Sequence, residues 1–370
     1  MKRSILGWML LPVACGAFAA DGLTVNLGQS TSVTLYGTLD GGVWLQSKAT
    51  DGSGNGPTSA GSQQKFVSGG ISPSKWGITG KRDLSGGKSA FFKLEAHLNS
   101  GNGSDGDFGD TGFTRQAFVG FSAPFGTVTV GQQFTPATLA FAATDPRGLR
   151  ESLSGLQPWL FTSNFGAMGS NFLSAFAHNS VQYSVDIDKL NVAALYGIGG
   201  KAGSSKADGT WSLAATYSGP VTVSAGVQTD YANSGVKGAS KFFAGVGATF
   251  GDFSPKLNYL NAKQYDTVSG QETHNHKIVG VGFDWKAAQA HNVNVSLYSG
   301  KDSRVSGNKA TTWVLSDEYA YESNITLYAQ LAVISAKSAA DIGVSLLGGS
   351  GTLVQGATTT VVNAGFRFNF

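Results

Sequence analysis

The chain has a single cysteine, Cys15, and it lies within the first twenty residues. Past that segment there is no thiol from which to build a disulfide framework, a thiolate metal site or a cysteine nucleophile. Proline is scarce, at 9 of 370 residues, and charged residues make up only 13%, few for a soluble chain of this size. The net charge of +3 is spread thinly, so there is no basic stripe for nucleic acid and no acidic block. No apolar run reaches the ~20 residues that a spanning helix requires. A sustained helical period of 3.6 is also missing, which argues against a βαβ enzyme fold.

The start of the chain, "MKRSILGWMLLPVACGAFAA", sets Lys2 and Arg3 before an apolar stretch from Ile5 to Ala14, with Ala17 and Ala19 in an A-x-A arrangement. This is the pattern of a secretory signal peptide, residues 1–19, cut near Ala19. Pro12 and Val13 make a poor context for lipidation of Cys15. Loss of Lys2 and Arg3 brings the net charge of the mature chain to about +1.

What the sequence has in abundance is glycine, 52 residues, and alternation. In "VTVSAGVQTD", Val221, Val223, Ala225 and Val227 share one face and Thr222, Ser224 and Gln228 the other. "WSLAATYS", "NVNVSLY" and "NITLYAQLA" repeat the pattern, each at about the 9–11 residues of a tilted membrane strand. The connections alternate between tight turns, as at 123–126, 186–188, 218–220 and 251–252, and long polar loops, as at 48–64, 99–111 and 199–209. Short turns at one end and long loops at the other predict an all-β, antiparallel transmembrane barrel over residues 20–370. We count sixteen strands, beginning near Ser32, Ser72, Lys88, Gly112, Thr127, His178, Leu190, Thr210, Val221, Ser240, Phe253, His274, Asn292, Thr311, Glu322 and Thr359.

The chain stops inside a strand, "AGFRFNF", with Phe366, Phe368 and Phe370 on one face. Closure of an even-stranded barrel removes that edge and gives the rings to lipid. Phe370 is then expected in the interfacial aromatic girdle.

A sixteen-stranded barrel is too wide for side chains to fill. One connection, 134–177, is far longer than a compact domain tolerates, and it carries Asp145, Arg147, Arg150 and Glu151 with Trp159, Phe161, Phe165, Phe172 and Phe176. We expect it to fold inward, anchored by its aromatics, and to narrow the channel.

Four stretches resemble a known family: "TSVTLYGTLDGGV", "SPSKWGITGKRDLSGGKSAFFKLE", "TRQAFVGFSAPFGTVTVGQQ", and "HNSVQYS" followed by the terminal "GFRFNF". The family is the trimeric general porins of Gram-negative outer membranes, most closely their β-proteobacterial branch. The resemblance implies a homotrimer set in outer-membrane lipid and lipopolysaccharide, and a third loop folded into the lumen. It also implies a terminal phenylalanine, here Phe370, read by the barrel assembly machinery. No cofactor, metal or nucleic acid is implied. In such porins, loop acids face a basic wall. Lys75 in "SKWG" and Arg115 in "TRQAFVG" match the wall bases, with Lys81 and Lys93 as further candidates, and Asp145 and Glu151 are the candidate loop acids. Thr38 and Gln132 stand where enteric relatives carry lysine and arginine, and Gln182 replaces another common arginine, so the wall is expected to be less basic than usual. Asp40 is placed on the inward face of the first strand.

Parity supports Lys75, Lys81, Lys93, Glu95 and His97 as inward side chains, because Trp76, Ile78, Phe92 and Leu94 take the opposite face. It is ambiguous for Arg115, which shares a face with Ala117, Val119 and Phe121. An arginine at the lipid midplane costs about 2–4 kcal/mol, which favours the inward placement.

Three motifs bear on chemistry. "SPSK" at 72–75 fits S-x-x-K, but positions three apart on a strand face opposite sides. "SDGDFGD" offers Asp105, Asp107 and Asp110 as oxygen ligands, without the spacing of a calcium loop. In "ETHNHK", His274 and His276 sit beside Glu272, with no third ligand evident in the sequence. The expected function is a passive, water-filled channel for small hydrophilic solutes and ions, with no catalysis. The alternatives are a substrate-selective porin for a small aromatic or organic acid, and a closed structural or adhesive barrel.

Overall fold

The computed structural model describes residues 22–51, 56–105, 112–150, 152–155, 175–340 and 353–370. The expected signal peptide, Glu151, Asp107, Asp110, Trp159, Phe161, Phe165 and Phe172 lie outside the described residues. The first strand segments are β1 (Leu23–Asn26), β2 (Thr31–Ala49), β3 (Gly61–Ser68), β4 (Lys75–Leu84), β5 (Lys88–His97) and β6 (Gln116–Ala123). They continue with β7 (Gly126–Phe134), β8 (Phe176–Ile187), β9 (Leu190–Gly197), β10 (Thr210–Ser218), β11 (Val221–Tyr231) and β12 (Lys237–Ala248). The last are β13 (Phe253–Tyr265), β14 (Glu272–Ala288), β15 (His291–Asp302), β16 (Lys309–Glu322), β17 (Ile325–Ala336) and β18 (Thr358–Asn369).

All pairings between neighbouring strands are antiparallel, and β18 pairs with β2 to close the wall. β3 and β4 run along the same edge of β2 and form one interrupted wall strand, while β1 prolongs the line of β18 along the other edge. Sixteen wall strands result, as the alternation of the sequence predicts. β3 is the element that the sequence reading gave to a loop. Its "GSQQKFVS" is polar on both faces over its first half, because it runs at the external rim where neither face meets lipid.

Alternation is met by environment. Trp211, Leu213, Val221 and Val223 are exposed on the outer surface, while Ser212, Ser224 and Gln228 are buried inside. Phe366 is exposed outward beside the half-buried Phe368 and Phe370, and Arg367 and Asn369 are buried on the lumen side. Phe370 closes the seam: Gly37 N–H donates to its carbonyl at 2.7 Å, and its own N–H returns to Gly37 at 3.0 Å. The Phe370 ring lies over Gly37, where an added Cβ would be 2.2 Å from it and would push the ring aside.

Among the described residues one α-helix, α1 (Pro136–Thr144), follows β7 and lies inside the barrel. Thr135 caps it, its hydroxyl accepting from Thr138 N–H at 3.3 Å, and Pro136 occupies the first turn, where a missing N–H costs nothing. The helix packs on the inner face of β10 to β13, with Phe141 edge-on to Phe243 at 5.6 Å. Fully burying a ring such as Phe141 stabilises the docked loop by about 1.5–3 kcal/mol.

Candidate functional site

The loop after α1 follows the inner wall rather than crossing open space. Ala137 N–H donates to Ser212 Oγ at 3.0 Å, and the Thr144 hydroxyl meets Ser224 at 2.7 Å and Asn258 at 3.1 Å. Arg147 then reaches Asn294 and Ser316, both at 3.2 Å, and Gln330. Arg150 pairs with Asp284 at 2.9 Å and with Glu318, which in turn sits 3.6 Å from Arg367. Ser152 ends this path on the carbonyls of Gly69 and Gly70, in the break between β3 and β4. The described part of the loop therefore covers the wall from β10 round to β2 and leaves the arc from β4 to β9 facing it.

Charge on the covered side is distributed in a way that the sequence did not show. The loop brings arginines, and the wall answers with Asp284 and Glu318. Asp145 has no exposed surface. It accepts from Tyr298 Oη at 2.8 Å, Leu149 N–H at 2.8 Å and Ser154 Oγ at 3.1 Å, and so it shapes the loop's own turn.

The arc that the described part of the loop leaves open carries the cluster that includes three of the expected wall bases, Lys75, Lys93 and Arg115. Glu95, 2% exposed, sits at its centre. It accepts from Arg115 Nε and Tyr36 Oη, each at 2.8 Å, and from Gln116 at 3.2 Å, with Lys93 Nζ at 3.4 Å. The Arg115 guanidinium also contacts His97 Nε2 at 2.8 Å and lies over the rings of Phe134 and Phe176 at 5.5 and 5.6 Å. Lys75 stands between Thr38 and His97 in the ladder, beside this cluster. Arg115 escapes the parity conflict because it precedes β6 in a bend, so it turns inward although Val119 faces out.

The remaining candidates take other positions. Lys81 lies near the short-turn end, exposed and paired with Asp83 at 2.8 Å. Thr38 donates to Asn369 Oδ1 at 3.0 Å across the seam. Asp40 is fully buried, accepting from the backbone N–H groups of Gly70, Ile71 and Ser72 and from Tyr328 Oη at 2.7 Å. It organises the wall break rather than lining open water. Gln132 sits in a bulge of β7, bonded to the Thr114 carbonyl and to His178 at 3.1 Å. The sequence reading missed Asp284, Glu318 and Arg367, whose partners lie far along the chain, and it placed Glu95 inward without seeing it as the hub.

These features match those of known proteins. The sequence profile of the Gram-negative porins matches residues 7–339. An outer-membrane porin of Bordetella pertussis is 34% identical over 156 residues, which is 40% of this chain and 37% of that one. Outer membrane porin protein 32 of Delftia acidovorans is 24% identical over the full length of both chains. An anion-selective porin from Comamonas acidovorans superposes with a TM-score of 0.79 at 20% identity, covering 92% of this chain and 100% of that one. The closed sixteen-stranded wall, the inward loop and the profile match together place the chain in the Gram-negative porin family, as an outer-membrane, channel-forming barrel and not an enzyme.

Proposed function

We propose that small hydrophilic solutes and ions diffuse between the inward loop and the β4–β9 arc, through a throat whose charged wall is Lys75, Lys93 and Arg115 with Glu95. The observation that carries this reading is the imbalance of that cluster, three bases around one acid, while both arginines of the described loop have wall partners. Fixed charge in a narrow, low-dielectric passage biases which ions enter. The excess is small and Glu95 offsets part of it, so the preference is for anions and weak. The Comamonas porin, named as anion-selective, has the same fold.

The mature chain, freed of residues 1–19, assembles as a homotrimer in outer-membrane lipid and lipopolysaccharide. Phe370, at the seam, is the residue that the assembly machinery reads. Family membership supports these steps.

The test is the reversal potential of the purified protein in a planar bilayer under a KCl gradient, with Lys75→Glu alongside. The expected result is a weakly anion-selective wild type and a cation-selective variant. An unchanged potential removes Lys75 from the throat, and absence of conductance overturns the diffusion reading.

A further inference from the structure

We propose that His274, His276 and Asp302 form a binding site for a divalent transition-metal ion of the zinc or copper(II) class, inside the external mouth of the barrel. His274 and His276 lie two apart on β14 and so share a face, and Asp302 is the register partner of His276 on β15. One ligand atom from each of the three lies within 4.8 Å of the others. His274 Nδ1 is 2.7 Å from Asp302 Oδ2, and the two imidazoles are parallel with centroids 5.6 Å apart.

The face is the lumen side. Ile278, next in the same row, is buried against the cluster around Phe141, whereas Val279 is exposed on the outer surface. The position is the external end, because the 266–271 and 303–308 connections flank it.

The surroundings fit a ligand set. Asp302 Oδ1 is held by the N–H groups of Asn275 at 2.9 Å and Arg304 at 2.8 Å, which leaves Oδ2 turned toward the histidines. Such outer hydrogen bonds orient ligating groups. The nearby cations Lys263 and Arg304 share Glu272, which offsets one of their two charges. Two imidazoles and one carboxylate leave a fourth, water-filled position on a tetrahedral ion. Imidazole donors favour zinc, copper and nickel over calcium and magnesium, which require oxygen. Bonds of about 2.0–2.1 Å set roughly 3.4 Å between ligand atoms, so the pair at 2.7 Å must open and any pair nearer the 4.8 Å limit must close, both by side-chain adjustment. The sequence hid the third ligand, because only strand register brings Asp302 to His276.

Zinc titration of the purified full-length porin by calorimetry, at neutral pH, tests the site. The expected result is one ion per chain in the wild type and affinity at least about tenfold weaker in His276→Ala and in Asp302→Asn. His291→Ala, at the opposite end and paired with Asp317, leaves binding unchanged. Cobalt(II) in place of zinc is expected to give the strong visible absorption of a tetrahedral complex, lost in the same variants. Should Asp302→Asn fail to fold, the more exposed His274→Ala supplies the comparison. No zinc bound by the wild type, or equal affinity in the wild type and the ligand variants, overturns the site.

Discussion

Tyr328 on β17 donates its hydroxyl hydrogen to Asp40 on β2 at 2.7 Å, linking strands 288 positions apart in the chain. The same carboxylate holds three consecutive backbone N–H groups at 70–72, where the wall strand is interrupted. An added Cβ at Gly70 lies 2.1 Å from the Tyr328 hydroxyl, so the knot has no room for a side chain there.

Asp40→Ala is therefore expected to destabilise the barrel by several kcal/mol, since each buried donor left without an acceptor costs about 1–3 kcal/mol. Asp40→Asn keeps one acceptor oxygen and falls between. Urea unfolding in detergent, followed by tryptophan fluorescence, reads the order. A stability of Asp40→Ala equal to that of the wild type refutes the knot.

Glu95→Gln removes the acid at the centre of the wall cluster while retaining its shape. The throat then carries its three bases without the charge of Glu95, and the reversal potential in a KCl gradient shifts toward the anion limit. A shift in the other direction, or none, places the cluster outside the conducting path.

Arg150→Ala leaves Asp284 and Glu318 without the base that pairs with both. Breaking such a partly buried set costs about 3–5 kcal/mol, and the loop loses its ion pairs to β14 and β16, keeping on β16 the hydrogen bond of Arg147 to Ser316. Single-channel recordings are expected to show higher open-channel noise and frequent sublevels. Quiet currents like those of the wild type contradict a fastening role.

Deleting Phe370 removes the ring over Gly37 and two backbone hydrogen bonds of the seam. Folded protein in outer-membrane fractions, read by heat-modifiable gel mobility, falls several-fold. Refolding from urea into detergent separates the two causes: normal refolding there assigns the loss to recognition during assembly, and failed refolding assigns it to the seam.

Strands were legible wherever a face met lipid, because a period of two records two environments, as in β11 and β17. β3 was not legible, since at the rim both of its faces are wet. Arg115 broke the parity argument because it sits in a bend just outside the strand. The loop's interior positions were legible as apolar, but the partners of its charges were not. Nothing local in "DPRGLRES" tells that Arg150 meets Asp284 and Glu318, and nothing in "ETHNHK" points to Asp302. Those relationships are properties of register across strands, which residue patterning within one segment does not contain.

The break between β3 and β4 lies next to the seam where the last strand joins the first, and it is where Ser152 seats the loop. Gln330 spans the same place, donating to the Gly70 carbonyl at 3.0 Å and to Asn363 at 2.8 Å. The loop's far anchorage thus exists only once the two ends of the chain have met. Seating of the loop's far end is thereby coupled to closure of the wall: the anchors on β10 to β17 need no seam, whereas the contact of Ser152 with Gly69 and Gly70 does.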